Sequence, residues 1–268
     1  MRDRRSEPDP SLVDGQTPAQ IVAPFADLLA RPNGPRDRQV LMGDGVRVFS
    51  VEDGWAYVIA DKDGYIGFVP ARVFGPPEAA THRVSARATH VYEAANIKSP
   101  DVMSLSFGAQ VAALSETPLF VETKHGFIPK AHLAPAGTLD STPVSVAELF
   151  LGAPYLWGGN TSHGLDCSAL VQTALLACGY ACPGDSDQQE AQLGAHLPAG
   201  SEYRAGDLLF WKGHVALLRD AETLIHANAY HMAVAYEPVA EAIARIETQG
   251  DGPVTAHIRL ESRTARGA

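Results

Sequence analysis

Cys167 occupies the position in the sequence that most favours thiol chemistry. Residues 167–178 carry apolar side chains at helical spacing, and Gly179 supplies the stop signal. Asp166 stands where an N-cap residue is expected. Free backbone N–H groups and the helix dipole favour negative charge at this end of a helix, so the position favours a thiolate nucleophile. The same N–H groups are suited to hold an oxyanion.

A thiol nucleophile needs a base, and two histidines fall on predicted strands that can face each other. Three short apolar segments follow the cysteine: residues 206–211, 214–218 and 223–228. If the last two form a tight hairpin centred on Asp220, His214 lies directly opposite His226, with Cβ atoms about 5 Å apart. We therefore predict that His214 is the base and that His226 orients its ring. A one-residue slip would place His226 on the other face.

Two other interpretations of these residues stay open. His214 and His226 are ordinary strand histidines in the first. In the second they form a zinc site with Cys167, although no fourth ligand stands at a suitable spacing. We expect neither a metal nor a cofactor. The remaining cysteines, Cys178 and Cys182, lack the helix-start position, and the odd total of three favours reduced thiols.

Length and charge limit the function classes. The chain has 268 residues, a length that favours two or three domains. It is 46% hydrophobic, which is enough to form a sizeable core. Its formal net charge of −10 disfavours nucleic acid and anionic polymers as partners. The polar start, Met1 to Pro10, lacks the apolar stretch of a signal peptide, and we find no apolar run of about 20 residues. We expect a cytoplasmic protein that has no membrane partner.

The N-terminal half predicts two small β units. Residues 1–15 are polar and Pro-rich, which predicts disorder, and a short leading helix is predicted for residues 16–30. Two β-rich stretches follow, and Asp61-Lys62-Asp63-Gly64 is a hairpin turn signal in the first. Each stretch contains Gly-Phe-(Val/Ile)-Pro, at residues 67–70 and 126–129, which indicates an internal repeat of about 60 residues. The domain boundaries that we predict are 1–15, 16–78, 79–136 and 137–268.

The two β-rich stretches resemble bacterial SH3 (SH3b) domains, and residues 143–262 resemble the NlpC/P60 family of papain-like cysteine peptidases. The motifs that carry the second resemblance are Pro154-Tyr155-Leu156-Trp157-Gly158-Gly159, Leu165-Asp166-Cys167-Ser168, Ala205-Gly206-Asp207-Leu208-Leu209-Phe210, Gly213-His214-Val215-Ala216 and Leu224-Ile225-His226-Ala227. The resemblance implies an α+β fold, in which a papain-like domain of helices packed on an antiparallel sheet follows two small SH3b-like barrels.

The resemblance also implies a reaction and a substrate. With its SH3b-like units, the chain is similar to γ-D-glutamyl-L-diamino acid endopeptidases. These cleave murein peptides between the side-chain carboxyl of D-glutamate and a diamino acid, when the peptide has a free N-terminal L-Ala. The expected setting is recycling of cell-wall peptides.

Site residues follow from the resemblance position by position. Tyr155 matches a tyrosine near the oxyanion hole, which Cys167 completes. Five further matches are expected to line the substrate site: Trp157, Asp166, Ser168, Asp185 and Ser186. Family members often carry Arg just before the Asp-Ser pair, whereas this chain has Gly184. The first SH3b unit of such enzymes supplies an acidic group and a tyrosine for the free amine, and Asp44 and Tyr65 are the candidates.

Two further function hypotheses remain. One is a catalytically idle wall-binding protein whose SH3b units do the work, which would make Cys167 dispensable. The other is a thiol acyltransferase, as in permuted relatives of the fold, although the order Cys, His, His is unpermuted here.

Overall fold

The computed structural model of the protein describes residues 2–261. The chain divides into two compact units, the first formed by Met1–Thr138 with Asn160–Ser162 and the second by Leu139–Gly159 with His163–Ala268. The first residue of the predicted N-terminal segment and the last seven of the predicted C-terminal domain lie outside the described residues. Among the described residues, no helix is both long enough and apolar enough to cross a membrane.

The first unit begins with a seven-stranded antiparallel sheet in the order β3-β2-β6-β5-β4-β1-β7. Its strands are β1 (Thr17–Ile21), β2 (Phe25–Leu29), β3 (Arg36–Leu41), β4 (Gly45–Glu52), β5 (Trp55–Ala60), β6 (Ile66–Pro70) and β7 (Phe74–Gly75). The predicted turn after β5 is confirmed, since Gly64 has a φ of 73° and the Asp63 carboxylate accepts a 3.0 Å hydrogen bond from the Tyr65 N–H.

Three predictions about this region were wrong. Residues 16–30 form β1 and β2 instead of a helix, because every second side chain, such as Ala19 and Ile21, is buried. Among the described strands, β3 and β7 end the sheet without pairing with each other, so it is open where we predicted a barrel.

The third error concerns the N-terminal segment, which is anchored where we predicted disorder. Leu12 packs with Val13 against a cluster that includes Tyr57. The Tyr57 hydroxyl accepts a 2.9 Å hydrogen bond from the Asp9 N–H. The few apolar side chains of this polar segment therefore bind it to the sheet.

The rest of the first unit forms two smaller antiparallel sheets, of five strands in the order β10-β9-β14-β13-β12 and of three in the order β11-β8-β15. Their strands are β8 (His82–Val84), β9 (Ala88–Tyr92), β10 (Asp101–Ser106), β11 (Gln110–Val111), β12 (Ser115–Glu116), β13 (Phe120–Thr123), β14 (Gly126–Pro129) and β15 (Leu133–Pro135). Here too, the described strands form open sheets instead of the predicted barrel.

The internal repeat is visible in the structure. β6 is followed by a 3₁₀ turn over Ala71–Val73 and then by β7, while β14 is followed by one over Lys130–His132 and then by β15. A side chain is excluded at Gly126, because its Cβ would lie 2.4 Å from the Tyr92 carbonyl oxygen. The shared sequence pattern therefore marks the same local structure twice.

The second unit packs helices on a six-stranded antiparallel sheet in the order β18-β23-β19-β20-β21-β22. Its elements, together with the two-residue strand β16 that belongs to the first unit, are α1 (Pro143–Glu148), β16 (Asn160–Thr161), β17 (Gly164–Leu165), α2 (Cys167–Ala177), α3 (Ser186–Gln192), β18 (Ala195–His196), β19 (Leu208–Trp211), β20 (His214–Leu218), β21 (Thr223–Asn228), β22 (Ala233–Pro238), α4 (Val239–Gln249) and β23 (Ala256–Arg259).

The elements predicted around the reactive residues are confirmed. Helix α2 begins at Cys167, and β19, β20 and β21 match the three predicted strands closely. Helix α2 packs on β20 and β21, the strands that carry the histidines, and the Val215 N–H of β20 interacts with the Cys167 thiol at the start of the helix. The three cysteines form no disulfide.

Candidate active site

Cys167 is held at the first turn of α2 by the cap that the sequence predicted. The Asp166 carboxylate accepts a 2.8 Å hydrogen bond from the Ala169 N–H, which fixes where the helix begins. Only 7% of the Cys167 surface is exposed. The nucleophile candidate is therefore a buried side chain with a fixed orientation.

The charge state of Cys167 differs from what its helix position suggests. Burial raises the pKa of the Cys167 thiol to about 12, and the nearby Asp166 carboxylate adds to the increase. Backbone N–H groups of Val215, Ser168 and Cys167 itself act in the opposite direction but do not outweigh burial. The expectation that the helix start by itself favours the thiolate was wrong for the free protein. The thiol keeps its proton until a base takes it.

His214 and His226 are in direct contact, as predicted, but in a different register. Leu217 pairs with Ile225 and Leu218 with Leu224, so the hairpin is centred on Ala221 instead of Asp220. The Asp220 carboxylate accepts hydrogen bonds from two following backbone N–H groups and so extends the turn. A shift of two residues keeps the face.

The two imidazole rings are hydrogen-bonded through one nitrogen of each. His214 Nε2 lies 2.9 Å from His226 Nδ1, and the ring centroids are 5.2 Å apart. Burial, together with the nearby His226 and Arg245, lowers the pKa of His214 to about 3. Burial also lowers the pKa of His226. Both rings are therefore neutral at pH 7, each with one N–H donor and one acceptor nitrogen.

Glu237 and Arg245 complete a polar chain that the sequence analysis missed. Glu237 Oε2 lies 3.0 Å from His226 Nε2, and Arg245 donates to both carboxylate oxygens at 2.8 and 2.7 Å. Burial raises the pKa of Glu237, but the hydrogen bonds from Arg245 and His226 outweigh it and lower that pKa to about 2. Glu237 lies two residues beyond Ala235, the partner of His226 in β22, and this relation is visible only once the register of β22 is known.

His226 and Glu237, together with His231, form a group of side chains whose types could bind a metal ion but whose surroundings do not suit one. Ligand atoms of His226, His231 and Glu237 lie within 4.8 Å of one another. Arg245, however, already donates to both oxygens of the Glu237 carboxylate. A guanidinium in that position repels a divalent cation, so the arrangement does not fit a metal centre.

Tyr155 lies beside the nucleophile candidate. Its side chain is half-buried, and burial raises its pKa, with the Cys167 and Asp166 groups adding to the effect. Its backbone N–H donates to the Met232 carbonyl at 2.9 Å, which ties this segment to the loop between β21 and β22. The phenol therefore keeps its proton at neutral pH and remains a hydrogen-bond donor near the thiol.

Asp166 and Ser168 flank the nucleophile and are bonded to each other. The Ser168 hydroxyl donates to Asp166 Oδ1 at 3.1 Å, and the Gly158 N–H donates to Asp166 Oδ2 at 2.9 Å. Both side chains are buried. These bonds give Asp166 a structural task beside the substrate contact that we predicted for it.

The Asp185–Ser186 pair stands at the start of α3, where Asp185 is the N-cap. Gln189 on that helix is fully buried and donates to the carbonyls of Ser168 at 2.9 Å and Pro183 at 3.0 Å. This amide links the Asp185–Ser186 segment, which is predicted to line the substrate site, to the first turn of the helix that carries Cys167. Trp157 exposes 69% of its surface.

The two remaining site candidates belong to the first unit. Asp44 is buried, and its Oδ2 accepts hydrogen bonds from Lys62 Nζ at 2.7 Å and from the Leu41 N–H at 2.9 Å. Tyr65 is buried in the core of the seven-stranded sheet, with the Arg38 guanidinium 5.5 Å from the centre of its ring. Their assignment to the substrate amine stays a prediction.

Two segments of the chain match known protein families. Residues 152–250 match the profile of the NlpC/P60 family, and residues 28–72 match that of the bacterial dipeptidyl-peptidase SH3 domain. The γ-D-glutamyl-L-lysine dipeptidyl-peptidase of Bacillus subtilis (strain 168) is 30% identical over 214 residues, which cover 70% of this chain and 71% of that protein. Dipeptidyl-peptidase 6 of Lysinibacillus sphaericus is 27% identical over 237 residues, 78% of this chain and 87% of that one.

A solved structure agrees with these matches at the level of the fold. An NlpC/P60 family protein from Bacillus cereus superimposes with a TM-score of 0.75, at 19% identity, over 91% of this chain and 99% of that chain. The matched region contains Cys167, His214 and His226, and the SH3 match lies within the seven-stranded sheet. The chain therefore belongs to the NlpC/P60 family and carries a bacterial SH3 domain ahead of its NlpC/P60 domain.

Proposed function

We propose that the protein is a cysteine peptidase with Cys167 as nucleophile and His214 as general base. The observation that carries the proposal is the buried thiol at the start of α2, which interacts with the backbone N–H of Val215, the residue directly after His214 in a hydrogen-bonded pair of neutral histidines. A neutral imidazole can accept a proton, and a buried thiol needs such a partner to become nucleophilic.

The reaction follows from the protonation states. His214 takes the proton from the Cys167 thiol as the sulfur attacks the substrate carbonyl, and the Cys167 N–H and the Tyr155 hydroxyl hold the oxyanion. His214 then gives the proton to the leaving amine. Water, activated by the same imidazole, hydrolyses the thioester. Because both groups begin neutral, the imidazolium forms as the sulfur attacks its electrophile.

The proposed substrate is a murein peptide that begins with a free L-Ala and is cut between the γ-carboxyl of D-glutamate and a diamino acid. The name of the Bacillus subtilis relative, a γ-D-glutamyl-L-lysine dipeptidyl-peptidase, supports this bond type. Within the site, Ser168, Asp185, Ser186 and Trp157 are the groups that we propose for the peptide, and Asp166 for an ammonium group. Asp44 and Tyr65 are proposed for the N-terminal amine.

We further propose recycling of released wall peptides in the cytoplasm as the setting. The net charge of −10 supports small soluble peptides over anionic wall polymer, because like charges repel. We also propose a papain-like arrangement of the second unit and an SH3b origin for the second set of sheets. The repeated strand and 3₁₀ turn support that origin.

The test compares wild type with Cys167→Ala on L-Ala-γ-D-Glu-diaminopimelate, with mass spectrometry of the products. We expect wild type to release two products whose masses add up to that of the substrate plus one water, no turnover by Cys167→Ala, and peptide binding by both proteins. Turnover retained by Cys167→Ala would refute the nucleophile.

The alternatives give different results in the same assay. A wall-binding protein would bind intact sacculi and show equal behaviour with and without Cys167. An acyltransferase would form a new amide when a second amine is supplied, instead of releasing the free γ-carboxylate.

A further inference from the structure

We infer that Glu237 and Arg245 are positioning residues, which set the tautomers of both histidines and leave Nδ1 of His214 as the basic nitrogen. The inference rests on the proposed function, in which His214 accepts the proton of Cys167. It assigns a task to two residues that touch neither the nucleophile nor, in that mechanism, the substrate.

The first step is the protonation of Glu237. Arg245 donates through Nε to Oε1 at 2.8 Å and through Nη2 to Oε2 at 2.7 Å. Two N–H donors on the two oxygens keep the carboxylate ionised, so Glu237 can only accept hydrogen bonds. His226 Nε2, 3.0 Å from Oε2, must therefore carry the hydrogen of that bond.

The second step carries this direction to His214. A neutral imidazole has one N–H, so a His226 ring that donates through Nε2 has an acceptor lone pair on Nδ1. His214 Nε2, 2.9 Å away, must then be the donor. The lone pair of His214 is left on Nδ1, and this nitrogen alone is available for the thiol proton.

The histidine pair could not fix this direction by itself. An N–H to N bond between two neutral imidazoles can run either way, and the opposite direction would place a hydrogen on His214 Nδ1 and remove the base. His226 is 1% and Glu237 6% exposed, so water has little access to determine the direction. The carboxylate therefore makes the choice.

Arg245 is itself held in place. Its guanidinium lies 4.5 Å from the centre of the Tyr230 ring, and its Nη1 donates to Gln249 Oε1 at 2.8 Å. Other titratable groups on this side are Tyr230 and Asp251, which interact with Arg245, and His231, whose exposed ring lies 6.3 Å from that of His226. These contacts come from α4 and the residues just after it, and from the loop after β21.

The arrangement also suits the charged state of the reaction. When the S–H bond of Cys167 breaks and an N–H bond forms at His214 Nδ1, every other hydrogen in the chain keeps its place. His214 becomes a cation, and the Glu237 carboxylate lies at the far end of the two hydrogen bonds. No proton needs to move beyond the first transfer.

The main test measures tautomers directly by ¹⁵N NMR of histidine-labelled protein. The double variant Glu237→Met with Arg245→Met removes the acceptor and its cation together, and such apolar replacement of a buried pair often leaves stability unchanged. We expect wild type to show Nε2–H on both His214 and His226. The double variant should lose this single state and show His214 with hydrogen on Nδ1 in part of the population.

The chain provides a matched control. Asp207 accepts from His257 Nε2 at 2.8 Å and from Arg259 at 2.7 and 2.6 Å, which is the same grouping away from His214. Asp207→Met with Arg259→Met should leave the tautomers of His214 and His226 as in wild type. Glu237→Gln serves as the conservative variant, because its amide oxygen can still accept from His226.

Alkylation of Cys167 by iodoacetamide gives a second reading that needs no peptide. In the Glu237/Arg245 double variant we expect the rate at Cys167 to fall by about 10²-fold, since an imidazole in the wrong tautomer cannot remove the proton. Glu237→Gln should lose about 10-fold or less, by analogy with other outer partners of a histidine. The Asp207/Arg259 double variant should react at the wild-type rate.

The outcomes separate this inference from the proposed function. Unchanged tautomers in the Glu237/Arg245 double variant overturn the inference, whatever happens to activity. Equal alkylation losses in both double variants overturn it too, because they would show a general structural effect. If tautomers and alkylation respond as expected while wild type cleaves no murein peptide, the substrate proposal fails and the inference stands. Should the double variant not fold, Glu237→Leu, which removes the acceptor of His226 Nε2 and keeps Arg245, decides against the inference if its tautomers and its pH profile of alkylation are those of wild type.

Discussion

The sheet of the second unit carries the same chemical grouping twice. At one place His226 donates to Glu237, which Arg245 clamps. At the other His257 donates to Asp207, which Arg259 clamps, with distances of 2.8, 2.7 and 2.6 Å. In both, a buried carboxylate accepts from one imidazole and from two nitrogens of one guanidinium.

The difference lies in what each imidazole contacts besides its carboxylate. His226 Nδ1 meets His214, which leads to the nucleophile helix, whereas the ring of His257 packs edge-on against Tyr203 at 5.1 Å. Asp207 also accepts from the Arg204 N–H at 3.0 Å, which fixes the approach to β19. In the proposed mechanism, a clamped histidine therefore contributes to catalysis only where its other nitrogen has a base to orient, and elsewhere the same grouping stabilises the fold.

The largest expected effect separates the two groupings by activity. Substitution His214→Ala removes the proposed base, and loss of a nucleophile–base partner lowers kcat by at least about 10⁴-fold. His257→Ala should leave kcat/KM close to wild type, because its ring contacts Asp207 and Tyr203 and no reacting group. Peptide hydrolysis by both variants, at temperatures where both are folded, measures the contrast. A comparable loss in His257→Ala would erase the distinction.

The next effect is on stability and belongs to the other grouping. Asp207→Ala leaves the buried His257 without its acceptor and Arg259 without its partner. Leaving a buried donor such as the His257 N–H without its acceptor costs about 1–3 kcal/mol of unfolding free energy. Urea unfolding measures the loss, and the activity of the remaining folded protein should be unchanged. A stable but inactive variant would contradict this division of roles.

The sequence predicts the first grouping in part and the second not at all. Cys167 could be predicted from the sequence because a helix start leaves a local signal: apolar residues at helical spacing, an N-cap residue and a stop signal. The histidine pair survived a wrong hairpin centre because a slip of two residues preserves the face. Glu237 could not be predicted from the sequence, because its position opposite Leu224 depends on the register between β21 and β22, which the intervening loop sets.

The errors in the first unit have one physical origin. Short polar segments were assigned by composition, whereas a few tertiary contacts decide their structure. Leu12 and Val13 anchor a segment whose other residues are mostly polar. Alternate side chains are buried in β1 and β2, but the sequence does not reveal this pattern because each strand has only five residues and Pro24 lies between them. Local patterns identified the long helix around Cys167 better than these five-residue strands.

A smaller effect tests whether His226 acts only through its neighbour. His226→Ala leaves His214 in place but removes the partner of its Nε2. We expect kcat to fall by about 10²-fold, in line with other outer partners of a histidine, with KM little changed. His226→Asn, whose side-chain oxygen can accept a hydrogen bond, should recover part of the loss. A larger loss for Asn than for Ala would show that orientation is not the task of His226.

The smallest effect is the change in unfolding free energy with pH that arises from His214, the partner of the grouping around His226. The pKa of His214 is about 3 in the folded chain, against an ordinary 6.5, so between these values the unfolded chain binds a proton that the folded chain does not. Stability that is present above pH 6.5 is therefore lost as the pH falls through this window, by about 1.4 kcal/mol per pH unit for one proton. Between pH 6.5 and 4.5, above the ordinary pKa of glutamate, urea unfolding of His214→Gln should show a shallower decline than wild type, since Gln binds no proton. Parallel declines would mean that His214 is protonated in the folded state, which would remove the neutral base on which the contrast between the two groupings depends.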